Sequence, residues 1–290
     1  MRGFSSEYFK KSSKEDEKGK YTIYFYDMKV EKQMEKAVPI KSVCYENDLY
    51  ELIGEDGNVF LPNYLECCLA ALEKMFGNYR RKLESKAFCK KNYKSNCFLA
   101  QEEKVFWQTY IIIQLLRLPK IIKEAEQFSG EILKKDISKK GVHNLIRVLF
   151  LPFFDENVAG DPTVAVIEGI LERMKGMSFA VGIDDLGRGV TSDNPVAIYA
   201  NKKGEFESVI FPVTAKICLF MFKNEEKKNS RKNYCFSMED NFRKEIIKSI
   251  SIGAVRKIYS NHILNKAERE CIEEARHEKE KMVNNYYDVL

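Results

Sequence analysis

Two glutamates in the first half of the chain have the residue type and spacing of groups that do chemistry. Glu66 and Glu73 are seven residues apart, so a helix would place both carboxylates on nearly the same side. Carboxylates in that arrangement can hold a divalent cation or share acid–base work at the edge of a cleft. The spacing alone favours the simpler interpretation, two solvated glutamates.

Arg117 stands among isoleucines and leucines at residues 111–118. A buried guanidinium without a partner costs several kcal/mol, so we expect Arg117 to reach water or a carboxylate, with Glu66 or Glu73 as one candidate. Gln114 lies three residues earlier on the same helix face. A structural ion pair and a phosphate-binding arginine both fit this pattern.

A third polar group is formed by Ser192, Asp193 and Asn194, directly before Pro195. Proline keeps Asn194 extended and removes one backbone donor, which predicts a bulge or an edge position. A bulge can aim Asp193 into a site, as bulges often do near active centres. Asp and Asn side chains can also bond their own backbone there, which would make the irregularity structural.

The stretch Phe76–Phe98 has a net positive charge larger than the excess of +5 for the whole chain. It has seven basic residues against one acidic residue, a net charge of +6, and five aromatic residues are interleaved with them. Basic groups contact phosphates and aromatic rings stack on bases, so the stretch resembles a surface for single-stranded nucleic acid. The alternative is a solvated connection whose aromatic rings pack inward. The candidate contacts are Arg80, Arg81, Lys90 and Lys91.

The elements that must position these groups follow from hydrophobic periodicity. Extended segments are predicted at Tyr21–Asp27, Pro39–Tyr45, Ser178–Ile183, Gly189–Ala200, Glu207–Thr214 and Lys216–Phe222. Helices are predicted at Pro62–Leu83, Glu102–Phe128, Ser138–Phe150, Thr163–Met177, Met238–Ser260 and Ile263–Val283.

This order predicts a single α+β domain over residues 1–290. N-terminal strands occupy 1–60, a central helical layer 61–177, a C-terminal antiparallel β-meander 178–222, and C-terminal helices 223–290. The N-terminal strands could add to the sheet of the meander.

Composition and the first residues of the sequence predict the compartment. Lys and Arg exceed Asp and Glu by 48 to 43, a net charge of +5 that permits an anionic partner without demanding one. The first twenty residues are polar and charged, so we expect no signal peptide. The longest apolar run, Val105–Leu118, is too short and too polar to span a bilayer. None of the eight cysteines forms a Cys-x-x-Cys pair, so we expect reduced cysteines, no membrane contact and a cytoplasmic location.

Five segments, taken in order, carry a resemblance to a known family. They are N-Y-L-E-C-C-L-A-A-L-E at 63–73, Q-L-L-R-L-P at 114–119, T-S-D-N-P-V at 191–196, F-P-V-T-A-K at 211–216 and N-H-I-L-N-K-A-E-R at 261–269. The ordered set resembles the bacterial family called domain of unknown function 4238, and Glu66 and Glu73 both match its pattern. The chain departs from the family at its start, where M-R-G-F-S-S-E-Y-F lacks the usual histidine-containing segment.

The resemblance implies an intracellular effector or sensor, since some members resemble components of anti-phage loci. Our main hypothesis is therefore a defence-type nuclease acting on RNA or DNA. In it, Glu66, Glu73 and Asp193 hold Mg²⁺ or Mn²⁺ or act as acid and base, and Arg117 stabilises the developing charge. The substrate-binding residues would be Gln114, Ser192, Asn194, Arg80, Arg81, Lys90 and Lys91.

Two alternatives stay open. The first is a non-catalytic sensor or adaptor that binds a viral protein or nucleic acid, with the same polar residues forming a structural network. The second and weaker one is a metal-free ribonuclease. Arg256 and His262 have five residues between them, which resembles the motif of a superfamily of helical ribonucleases in which His is the general base. Lys257 and the neighbouring meander depart from that superfamily.

Overall fold

The computed structural model of the protein describes residues 22–43, 52–53, 58–60, 63–89, 99–117, 169–201, 205–223 and 233–287. In that part of the chain the helices are α1 (Ile40–Val43), α2 (Tyr64–Cys89), α3 (Gln101–Leu116), α4 (Asp240–Gly253) and α5 (Lys266–Tyr287), and residues 169–174 are also helical. The strands are β1 (Thr22–Asp27), β2 (Lys32–Gln33), β3 (Val38–Pro39), β4 (Leu52–Ile53), β5 (Val59–Phe60), β6 (Ser178–Ile183), β7 (Thr191–Ser192), β8 (Ala197–Ala200), β9 (Phe206–Thr214), β10 (Ile217–Phe222), β11 (Asn233–Ser237) and β12 (Lys257–Ser260).

The presence of both helices and sheets confirms the α+β class. The chain divides into two compact units, the first made of residues 1–45, 79–104 and 176–290 and the second of 46–78 and 105–175. The single domain predicted over 1–290 stays a prediction, because a compact unit need not fold alone. No helix in the described ranges is both long and apolar enough to cross a membrane.

The first sheet belongs to the first unit and joins distant parts of the chain. Its strands lie in the order β2-β1-β12-β7, and β3 also pairs with β1. The predicted N-terminal strand is confirmed as β1, which runs antiparallel to β12 with Phe25 opposite Tyr259. Strand β1 therefore pairs with β12, β2 and β3 pair with β1, and β4 pairs with β5. None of these N-terminal strands joins the sheet of the meander in the described part of the chain, although the sequence allowed it.

The second sheet, also in the first unit, has the order β11-β6-β10-β9-β8. Strands β8, β9 and β10 are joined by tight antiparallel pairings, as predicted, but β6 lies beyond β10 and not beside β8. Strand β11 adds next to β6 in the parallel direction, so the sheet is mixed. The arrangement is closer to a Greek key than to a simple meander, because the chain leaves the sheet between β6 and β8.

The excursion between β6 and β8 explains why one predicted strand is wrong. Gly189–Ala200 is predicted as one extended segment, but it forms β7 in the first sheet and β8 in the second. Asn194 and Pro195 lie between the two strands. Pro195 interrupts the ladder of backbone hydrogen bonds because proline has no N–H to donate. The S-D-N-P-V segment is thus the crossing point between the two sheets.

Two further predictions need correction, and both concern short elements. The extended segment predicted at Pro39–Tyr45 contains the helical turn α1. The helix predicted at Met238–Ser260 ends at Gly253, after which β12 follows. The four residues of β12 carry too little pattern to be recognised, since their partners in β1 lie more than 200 positions away. The helix predicted at Ser138–Phe150 lies outside the described residues.

Helix α4 supplies much of the core of the first unit. Ile246, Ile247 and Ile250 are at most 6% exposed and pack with residues of both sheets, among them Ala180, Phe220 and Ile258. Burying each isoleucine contributes roughly 1.5–3 kcal/mol. The position of this helix therefore decides what the neighbouring surface of the second sheet can bind.

A buried ion pair holds the first turn of α4. The Asp184 carboxylate is fully buried and accepts from Nε and Nη2 of Arg243 at 2.9 and 3.0 Å. The same carboxylate accepts from the backbone N–H groups of Leu186 and Arg188. Gly187, at φ +64°, provides the left-handed conformation that this turn requires.

The second unit contains a cluster of aromatic side chains. Phe76 of α2 stacks on Tyr110 of α3 with ring centroids 4.6 Å apart, and it meets Trp107 edge-on at 5.8 Å. All three are at most 1% exposed. The helix predicted at Pro62–Leu83 is confirmed as α2, in which Leu69, Leu72 and Phe76 are buried.

Candidate functional site

Arg117 and Glu73 form one of the contacts that the sequence offered for this arginine. Nη1 of Arg117 lies 3.4 Å from Oε1 of Glu73, and the two side chains are 3% and 13% exposed. At that distance the ion pair is a loose one. Both residues belong to the second unit, beside the aromatic cluster. The candidate arginine is therefore buried and has a carboxylate partner.

Tyr110 and Gln114 add polar groups next to this pair. Burial raises the pKa of Tyr110 well above its usual range, with a smaller opposing influence from Arg117, so the phenol stays protonated. Gln114 is 5% exposed, and its Nε2 has no hydrogen-bond partner within the described ranges. The four side chains make a buried polar cluster, which we call the Arg117 cluster.

Glu66 does not join this cluster. It is exposed and lies two helical turns before Glu73, so their Cα atoms are about 10 Å apart along α2. Both carboxylates could reach one ion only by extending toward each other, whereas helical side chains lean toward the N-terminus. Among the residues described, no group of three or more His, Cys, Asp and Glu is placed to hold a metal ion. The metal role of the two glutamates stays a prediction.

The Asp193 carboxylate accepts hydrogen bonds from the backbone of the segment that leads from α4 to β12. Oδ1 accepts from the N–H of Val255 at 2.8 Å, and Oδ2 accepts from the N–H groups of Arg256 and Lys257 at 2.7 and 2.9 Å. Three successive donors thus converge on one side chain. Asp193 belongs to the first unit, whereas the Arg117 cluster belongs to the second, so their predicted convergence stays a prediction.

Ser192 and Asn194 belong to the same hydrogen-bond network. The Ser192 hydroxyl donates to the carbonyl of Asn194 and accepts from its N–H. Nδ2 of Asn194 donates to the carbonyl of Gly253 at 3.0 Å, at the end of α4. These contacts favour the structural interpretation that the sequence left open, and they give no support to substrate binding by Ser192 or Asn194.

The basic stretch carries less available charge than its composition indicates. Arg80 is 7% exposed, and its Nη1 lies 2.7 Å from Glu84. Nζ of Lys86 contacts both carboxylate oxygens of Glu103, at 2.8 and 2.6 Å. Two of the basic residues are therefore engaged by carboxylates of α2 and α3, which weakens the case for a nucleic-acid surface.

The other predicted phosphate contacts are less informative. Arg81 is exposed on α2. Lys90 and Lys91 lie outside the described residues. Their role in nucleic-acid binding stays a prediction.

Arg256 and His262 lie at opposite ends of β12. The strand between them has four residues, which span about 13 Å when extended. Nε and Nη2 of Arg256 contact Oδ2 of Asp27 at 2.8 and 2.7 Å. Burial raises the pKa of Asp27, but the Arg256 hydrogen bond and backbone donors outweigh it and hold that pKa below its usual range. This separation removes the geometric support for a ribonuclease that uses both residues.

His262 instead belongs to a second polar cluster, around Glu268. The Glu268 carboxylate is 5% exposed; it lies 3.1 Å from Nε2 of His262 and 3.1 Å from Nε of Arg188. It also accepts from the N–H of Asn265, whose side chain accepts from the N–H of Glu268. This reciprocal pair is a capping box that starts α5, and the sequence N-K-A-E could have indicated it.

The charge of Glu268 depends on these contacts. Burial raises the pKa of Glu268, but the hydrogen bonds from His262 and Asn265 and the electrostatic influence of His262 and Arg188 together lower that pKa below its usual range. The carboxylate is therefore ionised at neutral pH. Its contacts fasten the loop of Arg188 to the start of α5.

A groove of about 260 Å³ lies between the second sheet and α4. We call it the aromatic groove. Tyr234 and Phe242, which line it, are 41% and 40% exposed. Neighbouring ring centroids are 5.5–6.3 Å apart, from Phe222 through Tyr234 and Phe236 to Phe242. Its lining residues also include Phe220, Ser208, Glu245 and Ser249.

Glu245 is the charged group of the aromatic groove. It is exposed and forms no ion pair in the part of the chain that the structure describes. The lysines on the same helix are engaged elsewhere, Lys244 with Asp240 at 3.4 Å and Lys248 with Glu278 at 3.0 Å. The groove is therefore apolar with an available negative charge at its rim. Sequence reasoning missed it, because the residues that line it come from five separate elements.

The fold and these sites define a mixed α+β protein with a buried polar cluster in one unit and an open aromatic groove in the other. A family model described as "Protein of unknown function (DUF4238)" matches residues 1–269. The chain belongs to this family, which confirms the resemblance seen in the sequence. Neither a curated protein nor a solved structure matches the chain.

The role of Asp193 can be tested by removing its carboxylate. We expect Asp193→Ala to lower the free energy of unfolding by about 2–3 kcal/mol, because three backbone donors lose their acceptor. Urea unfolding with and without added MgCl₂ measures this, and Glu207→Ala, which removes an exposed carboxylate of β9, is the control. A stabilisation by Mg²⁺ that is present in the wild type and absent in Asp193→Ala would instead identify Asp193 as a metal ligand.

The lowered pKa of Glu268 predicts how stability depends on pH. A carboxylate whose pKa is lower in the folded protein stabilises it above the unfolded-state pKa, and this contribution is lost as the pH falls through the folded-state pKa. We expect Glu268→Gln to be less stable at pH 7 and to lose less stability between pH 7 and pH 3 than the wild type. Urea unfolding across that range measures it. The exposed neighbour Glu270, changed to Gln, should leave the pH profile unaltered; equal profiles for all three proteins would contradict the assignment.

Proposed function

We propose that the protein is a non-catalytic sensor or adaptor whose aromatic groove binds a cationic group carried on an apolar body. The observation that carries this proposal is the groove itself, a row of aromatic rings of which Tyr234 and Phe242 are exposed. Beside it stands the carboxylate of Glu245, which has no ion-pair partner among the described residues. Contiguous exposed apolar surface is uncommon on soluble proteins and marks binding sites.

The chemistry of the groove favours a positively charged ligand. The faces of Phe and Tyr rings attract cations, and a carboxylate at the rim adds a direct charge–charge attraction. The apolar part of the ligand would bury against Phe222, Tyr234 and Phe242. An anionic ligand would meet Glu245 without a compensating cation in the lining.

The state of two predicted site residues also supports the sensor or adaptor over the nuclease. Asp193, a predicted catalytic residue, is occupied by three backbone donors, and Arg80, a predicted substrate contact, is occupied by Glu84. A group that acts on substrate has to be available to it. Glu245 is an exposed carboxylate of the first unit, and it stands among aromatic rings.

A small amine tests this proposal. We expect phenethylamine to bind with a Kd on the order of 1 mM, equivalent to about 4 kcal/mol, and 3-phenylpropionate, which has the same ring and opposite charge, to bind more weakly. Ligand-observed NMR measures both. Glu245→Gln should weaken the binding of phenethylamine by about fivefold. Glu207→Gln is the matched control, because it removes an exposed carboxylate beside Ser208 without touching the groove.

Two results would contradict the role of charge. One is equal affinity of the wild type for phenethylamine and 3-phenylpropionate, and the other is equal affinity of the wild type and Glu245→Gln for phenethylamine. No binding of either probe would contradict the proposal as a whole.

A nuclease is the second candidate, and the Arg117 cluster is what favours it. A buried arginine whose contact with Glu73 is loose, with the amide of Gln114 nearby, could receive a phosphate. This candidate predicts cleavage of labelled RNA or DNA in Mg²⁺ or Mn²⁺ that is lost in Glu73→Gln and kept in Glu66→Gln, since Glu66 is exposed and outside the cluster. Absence of turnover by the wild type on both nucleic acids would rule it out.

Several finer expectations remain part of the proposal. They are the central helical layer, the cytoplasmic location, a viral protein as the partner of the aromatic groove, a nucleic acid as the partner of the second candidate, and a role in antiviral defence. The aromatic groove is compatible with a protein partner, because side chains of lysine and arginine combine an apolar stem with a positive charge.

A further inference from the structure

Strand β11 lies at one edge of the second sheet. It pairs with β6 on one side, and the sheet order places no further strand beyond it in the described part of the chain. Its sequence, N-Y-C-F-S, contains no charge and no proline. Edge strands that avoid new pairing usually carry such residues, so β11 lacks the common protection against an added strand.

The side chains of β11 connect this edge to the aromatic groove. Successive residues of a strand point to opposite faces. Tyr234 and Phe236 line the groove, whereas Cys235 between them is buried on the other face. A strand added beside β11 would therefore place every second side chain on the face of the sheet that carries the groove.

We infer that the occupant of the aromatic groove is an extended peptide that adds to β11 as a strand. This inference rests on the proposed function and names its partner. One apolar side chain of the peptide enters the groove between Tyr234 and Phe242, and a lysine or arginine on the same face meets Glu245. The main chain of the peptide bonds to the open edge of β11, which is the recognition mode called β-augmentation.

The size of the groove favours a peptide over a compact small molecule. Its volume of about 260 Å³ lies below the 300–1,000 Å³ or so of pockets that enclose a drug-sized ligand. One or two side chains would fill it. The remaining affinity has to come from outside the groove, and the edge of β11 supplies main-chain donors and acceptors next to it.

The charge pattern selects the sequence of the peptide. Glu245 is the charged residue among those that line the groove, and the nearby Lys244 and Lys248 are paired with other carboxylates. A basic residue two positions from the apolar one lies on the same face of an extended peptide. The favoured pattern is therefore basic-x-aromatic-x-basic.

The experiment compares a peptide of that pattern with two backbone variants. The probe is the hexapeptide acetyl-KTFTKT-amide, whose phenylalanine and lysines share one face. In a strand, alternate N–H groups point to opposite edges, so one variant is N-methylated at its odd positions and the other at its even positions. Binding is measured by calorimetry, with phenethylamine as the reference ligand and acetyl-ETFTET-amide as the charge-reversed control.

We expect the parent peptide to bind at least about tenfold more tightly than phenethylamine, since several main-chain hydrogen bonds are added. One methylated variant should bind about tenfold or more weakly than the parent peptide. The other should bind within about twofold of the parent, because only one edge of the peptide faces β11. Glu245→Gln should lower the affinity for the parent peptide, and Glu207→Gln should leave this affinity unchanged.

Equal binding of the parent and both methylated peptides would overturn the inference, and so would a parent peptide no tighter than phenethylamine. In either case, binding of phenethylamine that depends on Glu245 would leave the proposed function intact. Concentration-dependent dimerisation of the protein that the peptide does not reverse would also overturn it, because a second copy would then occupy the edge.

Discussion

The carboxylate of Asp193 is the contact on which the first unit depends most. It gathers three successive backbone donors after α4, at the point where the chain turns into β12. Losing such an acceptor leaves every one of those donors to find water or strain the turn. Because β12 is the central partner of β1 and β7, the direction of α4 and the pairing of the first sheet are fixed together.

The other end of α4 is held in a similar way. The Asp184 carboxylate accepts two hydrogen bonds from Arg243 near the start of the helix, and both side chains are buried. Breaking a buried pair by removing one partner typically costs about 3–5 kcal/mol. Asp184 and Asp193 both lie in the connection between β6 and β8, so one segment of the chain clamps both ends of the helix that forms a wall of the aromatic groove.

Local patterns in the sequence predict the elements that are long or strongly alternating. β1, α2, α3 and the hairpins of the second sheet follow from them, and they also gave Glu73 as one of the candidate partners of Arg117. The short strands β11 and β12 do not, because their pairing partners are far away in the chain. The role of Asp193 was equally hidden: its acceptor atoms meet donors more than 60 positions away, and an S-D-N-P segment looks the same whether its carboxylate faces solvent, a metal or a turn.

The same reasoning explains why the most recognisable motif is a poor guide to the binding site in this fold. Asp193 and Asn194 are held by backbone partners, and Glu268 by its cap, Arg188 and His262. A carboxylate with a full set of donors has little left to offer a ligand, since any new contact must replace an existing one. Glu245 has no such set within the described ranges, and it stands where aromatic rings remain exposed. The physical criterion for a candidate site here is therefore the polar group that the fold leaves without a partner, rather than the residue that the motif makes conspicuous.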